Sequence, residues 1–166
     1  MGRQGVAETM LAEFDQAKPA PGLTGEERIA RRYMEWAGSL GRGDTERALE
    51  AITTIQVDDL RCRDRRCWGW WERGRALEAA GRFDEARSMY ARAIDGADLI
   101  QARWWPMVLI DSLQRLASLA EDAGDVEQAR SSYARLVELW IDADAELQPR
   151  VAHARARLAA LDRGER

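Results

Sequence analysis

Three times in this chain a glycine is followed five residues later by an alanine, with acidic side chains between them. The segments are Gly43-Asp44-Thr45-Glu46-Arg47-Ala48, Gly81-Arg82-Phe83-Asp84-Glu85-Ala86 and Gly124-Asp125-Val126-Glu127-Gln128-Ala129. Each reads as a helix stop joined directly to a helix start. Glycine takes the left-handed conformation that closes a helix, and the carboxylates that follow suit the positive end of the next helix dipole. Apolar residues recur at helical spacing on both sides. In the third copy Leu113, Leu116, Ala117 and Ala120 precede the glycine, and Ala129, Tyr133, Leu136 and Trp140 follow it. The second copy has Trp70, Gly74 and Leu77, then Ala86, Tyr90 and Ala93. A small alanine four residues before a tyrosine lets two antiparallel helices approach around one bulky side chain. A chain punctuated in this way is constrained to helical hairpins.

Composition agrees. Ala, Arg, Leu, Glu and Lys fill half of the 166 positions, while Val, Ile and Thr are few. A chain of this length buries a genuine core without disulfides or metals. Its longest apolar run, Trp104 to Ile110, falls short of the roughly 20 residues of a membrane span, and no signal-peptide pattern is present. The expectation is a soluble, cytoplasmic chain with no membrane partner. A net charge of -4 argues against a generic nucleic-acid surface. Lys18 is the sole lysine among 25 basic residues, a bias that no fold demands and that points to a GC-rich bacterial coding sequence.

The pattern Trp70, Gly74, Leu77, Gly81, Phe83, Ala86, Tyr90, Ala93 resembles a tetratricopeptide repeat, and Leu113, Ala117, Ala120, Gly124, Ala129, Tyr133 resembles a second. In the first copy Gly43 and Ala48 fit, but Ile52 stands where the others have tyrosine. The anchor alanines at 48, 86 and 129 are spaced more widely than the family's period of about 34 residues, so the linkers carry extra residues. More narrowly, Cys62 and Cys67, Gly124-Asp125 and the stretch from Leu139 to Val151 resemble the C-terminal repeat regions of bacterial serine/threonine kinases and multidomain transcription regulators, over roughly residues 58 to 161. The resemblance implies an all-α array of antiparallel helical hairpins, an α-solenoid, closed by a C-terminal capping helix.

The expected organisation is an N-terminal helix and linker over 1–23 and a helical domain over 24–166. Its hairpins span about 25–57, 67–97 and 106–141, and the capping helix about 147–162, for about seven helices. Val6, Met10 and Phe14 mark a short opening helix, and Lys18 to Gly22, with two prolines, a linker. Thr24 and Glu27 have capping-box spacing, so the next helix starts at Gly25. Leu147, Val151, Ala154, Leu158 and Leu161 form one apolar stripe on the final helix, with Arg150, Arg155 and Arg157 facing outward.

Little in the sequence points to catalysis. Cys62 and Cys67 flank Arg63-Asp64-Arg65-Arg66, and two cysteines with the single histidine, His153, fall short of the four ligands of a structural zinc site. Unpaired thiols suit an intracellular chain; a disulfide between them would suit an extracytoplasmic one. His153 lies on a wet face with no nucleophile in a recognisable elbow, and the glycines sit singly at helix ends rather than in a phosphate loop. The arginines at 61, 63, 65 and 66 are diluted by Asp58, Asp59 and Asp64, which reads as a solvated linker. No catalytic residue, metal ligand or cofactor site is expected.

One polar face is left over from packing. Asp111, Gln114, Ser118 and Glu121 recur beside the core stripe of the third copy, and Trp68, Trp71, Arg75 and Glu78 occupy the matching places in the second. Tyr33 extends the face from the first copy. In tetratricopeptide domains these first-helix positions line a groove that holds a peptide, so the resemblance implies a protein or peptide partner here. The carboxylates favour one with basic groups, and tryptophan with arginine makes a strong anchor. The bland reading is that Trp68 and Trp71 pack in the core; Trp104 and Trp105 are assigned to plugging a linker. Two other functions stay open, a homo-oligomerisation module and a small-molecule sensor or enzyme on the same scaffold.

Overall fold

At all three junctions the glycine closes its helix as the spacing predicts. Gly43, Gly81 and Gly124 have φ of 77°, 74° and 76°, and a Cβ at any of them would meet nothing within 4 Å. Backbone handedness, not space, therefore requires glycine there. Each glycine N–H donates to the carbonyl three residues back, at Leu40, Glu78 and Glu121, over 2.9–3.1 Å. The residue after it reaches five back, from Asp44 to Ser39, Arg82 to Leu77 and Asp125 to Ala120, at 2.8–3.0 Å. One double-bonded turn is thus built three times. The caps that follow differ. Asp44 and Asp125 accept from the backbone N–H of Arg47 and Gln128, whereas Arg82 carries no acceptor and grips Glu85 through two 2.7 Å bonds.

The computed structural model describes residues 3–18, 20–55, 66–96 and 106–164. Among them are eight α-helices: α1 (Arg3–Ala17), α2 (Gly25–Arg42), α3 (Thr45–Thr53), α4 (Arg66–Ala79), α5 (Phe83–Asp95), α6 (Pro106–Asp122), α7 (Val126–Leu139) and α8 (Gln148–Asp162). Seven of them, α2 to α8, lie in the span of the expected hairpins and capping helix, and the eighth is the opening helix, 15 residues long and packed on α2. The fold class is all-α, made of helical hairpins of the solenoid type with a C-terminal capping helix. Cys62, Arg61, Arg63, Arg65, Trp104 and Trp105 lie outside the described residues, as do the side chains of Arg66, Cys67 and Trp68.

Two compact units divide the chain, Met1–Ala86 and Arg87–Arg166. In the first, α1 packs on α2, α2 on α3 and α3 on α4. Asp15 of α1 takes Arg31 of α2 at 2.7 and 3.1 Å. The Thr24–Glu27 capping box is complete, with both backbone bonds formed. Arg73 of α4 donates to the carbonyls of Ile52 and Ile55, closing the end of α3. Burial holds the Arg73 guanidinium below the ordinary arginine range, and nearby Tyr33 pulls the other way.

In the second unit α6 packs on α7 and α7 on α8. Ile110, Leu113, Tyr133, Leu136 and Val151 are all nearly inaccessible. Ala117 and Ala129 have no exposed surface, which lets α6 and α7 approach around the Tyr133 ring. Arg87 of α5 reaches Asp125, the cap of α7, at 2.5 Å. Of the predicted stripe on the final helix, Val151, Ala154 and Leu161 are buried, and Leu147 and Leu158 half-buried.

Candidate functional site

The expected binding residues fall on both units, and each set has its own geometry. In the first unit Trp71 and Arg75 sit one turn apart on α4, both half-buried, with the Arg75 guanidinium 5.0 Å from the Trp71 ring centroid. At that distance the cation is attracted to the ring face, so the two side chains form one platform. Glu78, one turn further along α4, is also half-buried. Tyr33, on α2, meets Trp36 edge to face, with centroids 6.4 Å apart and planes at 86°. Tyr33 lies in the same unit as α4, the helix that carries the platform. Trp68 belongs to this set by spacing, but its side chain lies outside the described residues. Trp70 is half-buried, whereas Glu72, which the spacing does not single out, is buried at 3% exposure.

In the second unit Asp111, Gln114, Ser118 and Glu121 share one face of α6, with Ser118 exposed and the others half-buried. The two carboxylates hold arginines of this chain. Glu121 takes the Arg157 guanidinium from α8, with Nε 3.3 Å from Oε2 and Nη2 on Oε1, and it accepts a 3.2 Å hydrogen bond from the Tyr133 hydroxyl. Asp111 accepts Arg115 at 2.9 Å and lies 3.8 Å from Nη1 of Arg150, an ion pair beyond hydrogen-bond reach. Burial lifts the Tyr133 phenol above its ordinary range, which keeps it protonated and able to donate.

Arg150 and Arg157 therefore differ from their expected outward placement. Seven residues apart on α8, they return to carboxylates ten residues apart on α6, while Arg155 is exposed. The signal was present in the spacing. Two arginines two turns apart, flanking the apolar stripe of a terminal helix, lie beside whichever carboxylates the stripe brings near. His153 is exposed, as its wet-face reading expects, and stands edge-on to Tyr133 at 6.5 Å.

Elsewhere in the first unit, an open cleft of about 620 Å³ is lined by Glu35, Asp44, Glu46 and Glu50 with Arg32 and Arg47. Three of its polar groups serve the fold. Glu35 pairs with Arg31 and Arg32, and Asp44 caps α3. None of the expected binding residues lines it. Among the described residues no helix is long and apolar enough to cross a membrane, and no three His, Cys, Asp or Glu side chains cluster to hold a metal ion.

The geometry of α6 and α7 finds its counterpart among known families, while a comparison with curated proteins finds none that matches. A tetratricopeptide repeat model covers residues 111–140, the span that runs from Asp111 through the Gly124 turn to the end of α7. That match shows a tetratricopeptide repeat over these residues.

Proposed function

We propose that this chain is a noncovalent protein- or peptide-binding module, a scaffold or adaptor in a bacterial regulatory or assembly system, and not an enzyme. The observation that carries the reading is the Trp71–Arg75 platform. A large aromatic ring with a cation stacked on it is half-buried on α4, so that part of the platform stays open to solvent. Preformed, it loses little side-chain entropy when a partner covers it, and aromatic and arginine side chains carry a large share of interface energy. Tyr33 and Glu78 extend this face; Asp111, Gln114, Ser118 and Glu121 make the corresponding face of α6.

The test compares the chain with its Trp71→Ala and Arg75→Ala variants as immobilised bait in extract of the native host, read by quantitative mass spectrometry. At least one protein should be retained by the wild type and reduced about tenfold or more by each variant, as expected where a hot-spot side chain is worth about 1.4 kcal/mol or more. Identical retained sets, with all three proteins folded by circular dichroism, would remove the reading.

Self-association is the second reading, favoured by Val6 and Met10, one turn apart on α1 and 49% and 53% exposed. Light scattering decides it. A stable dimer abolished by Met10→Glu supports it, and a monomer at high micromolar concentration removes it.

A further inference from the structure

Resting on the reading of α4 as a partner-facing helix, we infer that the Trp71–Arg75 platform takes a single carboxylate side chain from within a peptide segment of the partner, with Arg75 as the contacting group and an apolar residue of the same segment covering Trp71. Arginine in this fold is seldom left without an oxygen. Every other half-buried arginine among the described residues has one within reach: most take a carboxylate, and Arg73 takes the carbonyls of Ile52 and Ile55. Arg47, Arg92, Arg135 and Arg155 have none among the described residues, and all four are exposed, so water serves their donors. Arg75 differs from both groups. It is half-buried, its guanidinium lies 5.0 Å from the Trp71 ring centroid, and no carboxylate or carbonyl of the described residues pairs with it.

The ring attracts the cation but is at most a weak hydrogen-bond acceptor, so the N–H donors of the guanidinium remain for a stronger one. A carboxylate matches that planar fork with two parallel bonds, each charge-assisted and stronger than a bond to a neutral carbonyl. The ring contact already restricts the arginine side chain, so pairing gives up little further freedom. Neighbouring charge sets how much negative charge the site accepts. On α4, Glu78 lies three residues beyond Arg75, half-buried, and Glu72 three residues before it, buried. Neither pairs with Arg75, and both repel a second negative charge brought beside it. One carboxylate is therefore favoured over a phosphate dianion or a run of acids. Trp71, Arg75 and Glu78 follow one another along one face, at i, i+4 and i+7. A segment laid on that face continues past its carboxylate in both directions, with an apolar residue over Trp71 and an uncharged or basic one beside Glu78. The acid is thus an internal Asp or Glu side chain and not a chain terminus.

Random dodecapeptides closed at both ends by constant neutral linkers, displayed and selected on the full chain with counter-selection on Arg75→Gln, test the inference. Enriched sequences should share one Asp or Glu at a fixed place, with an aromatic or aliphatic residue a few positions away. The most enriched of them, made as a fluorescent synthetic peptide and titrated by anisotropy, should weaken about tenfold when its acid is changed to the amide, as a charge-assisted bidentate pair requires. The same change should have little effect on binding to Arg75→Gln, and Arg75→Lys should recover only part of the wild-type affinity. Enriched sequences without a shared acid overturn the inference, as does an acid whose removal matters equally with and without Arg75, or tighter binding when phosphoserine replaces the acid. Should Arg75→Gln fail to fold by circular dichroism, Arg75→Lys takes its place in the selection and the titrations. Peptides that lack the acid yet lose binding in Trp71→Ala remove this inference and leave the platform reading in place; a selection that yields no peptide sensitive to either side chain removes both.

Discussion

The hairpins α2–α3 and α6–α7 share a turn and solve their interiors in opposite ways. Seven residues before its glycine the third copy has Ala117, and nine residues after it Tyr133, both buried. At the same two places the first copy has Trp36 and Ile52, also buried. Bulk has moved from the second helix to the first. Both arrangements fill an interior between antiparallel helices, because packing constrains the summed volume of facing side chains more tightly than the identity of either. The backbone turn has no such freedom. Its glycine adopts the same left-handed conformation in every copy. A repeat is therefore recognisable by its punctuation even where its core residues have traded places.

The hardest blow to this comparison falls on Tyr133. Tyr133→Ala should cost about 3–5 kcal/mol in denaturant unfolding, as for other large buried aromatics. Tyr133→Phe should cost only about 1 kcal/mol, the worth of the bond to Glu121. Near-equal losses in the two variants would show that the hydroxyl rather than the ring holds α6 to α7.

The exchange of bulk is tested by reversing it. Trp36→Ala should cost about 3–5 kcal/mol and Ile52→Tyr about 1–3 kcal/mol by overpacking. Together they rebuild the arrangement of the third copy, and the double variant should be more stable than the sum of the two losses by about 0.5–3 kcal/mol. Strict additivity would mean that the two positions do not share one space.

Caps sharpen the comparison by smaller amounts. Asp125→Ala should cost about 1 kcal/mol, somewhat more than Asp44→Ala because Asp125 also holds Arg87. In the middle copy Arg82→Asp should stabilise by about 0.5–1 kcal/mol, since it adds a missing cap and loses only an exposed ion pair. A loss at Arg82→Asp would show that the Glu85 bridge matters more than the cap.

The smallest effect separates the two hairpins by how they begin. Lys18, then the backbone and hydroxyl of Thr24, hold the Glu27 carboxyl down at about 2, at the start of α2. The ionised form is the one that makes these bonds, so their contribution is complete above the ordinary carboxylate value of 4.5 and fades as pH falls from there toward 2. A carboxyl titration of Glu27 by NMR should show that low midpoint, and Glu27→Gln should remove part of the acid sensitivity of thermal unfolding. A midpoint near 4.5 would show the bonds to be absent in solution.

Helix ends, hairpin turns and the apolar stripe of α8 were legible because they follow from local rules: glycine handedness, the capping box and 3.6-residue periodicity. So was the sharing of one α4 face by Trp71 and Arg75, which spacing alone dictates. Trp36 escaped notice since it fills a place that the other copies keep small, and a pattern search for small residues passes over it. Glu72 is a carboxylate whose burial follows from the packing of α4 and not from its residue type. Arg150 and Arg157, which reach Asp111 and Glu121, come from a helix some 40 residues away, and whether a carboxylate is bare or covered is a property of packing that sequence separation conceals.

The most direct test of the central claim, that α4 presents a partner-facing surface rather than a piece of core, is photo-crosslinking in the native host. The photoreactive residue p-benzoylphenylalanine is placed at position 71 and, as a control, at position 83, where Phe83 is 53% exposed outside the binding face. A discrete protein adduct from position 71 that is absent from position 83 is the predicted result; the same adducts from both positions, or none from position 71 in a folded chain, would contradict it.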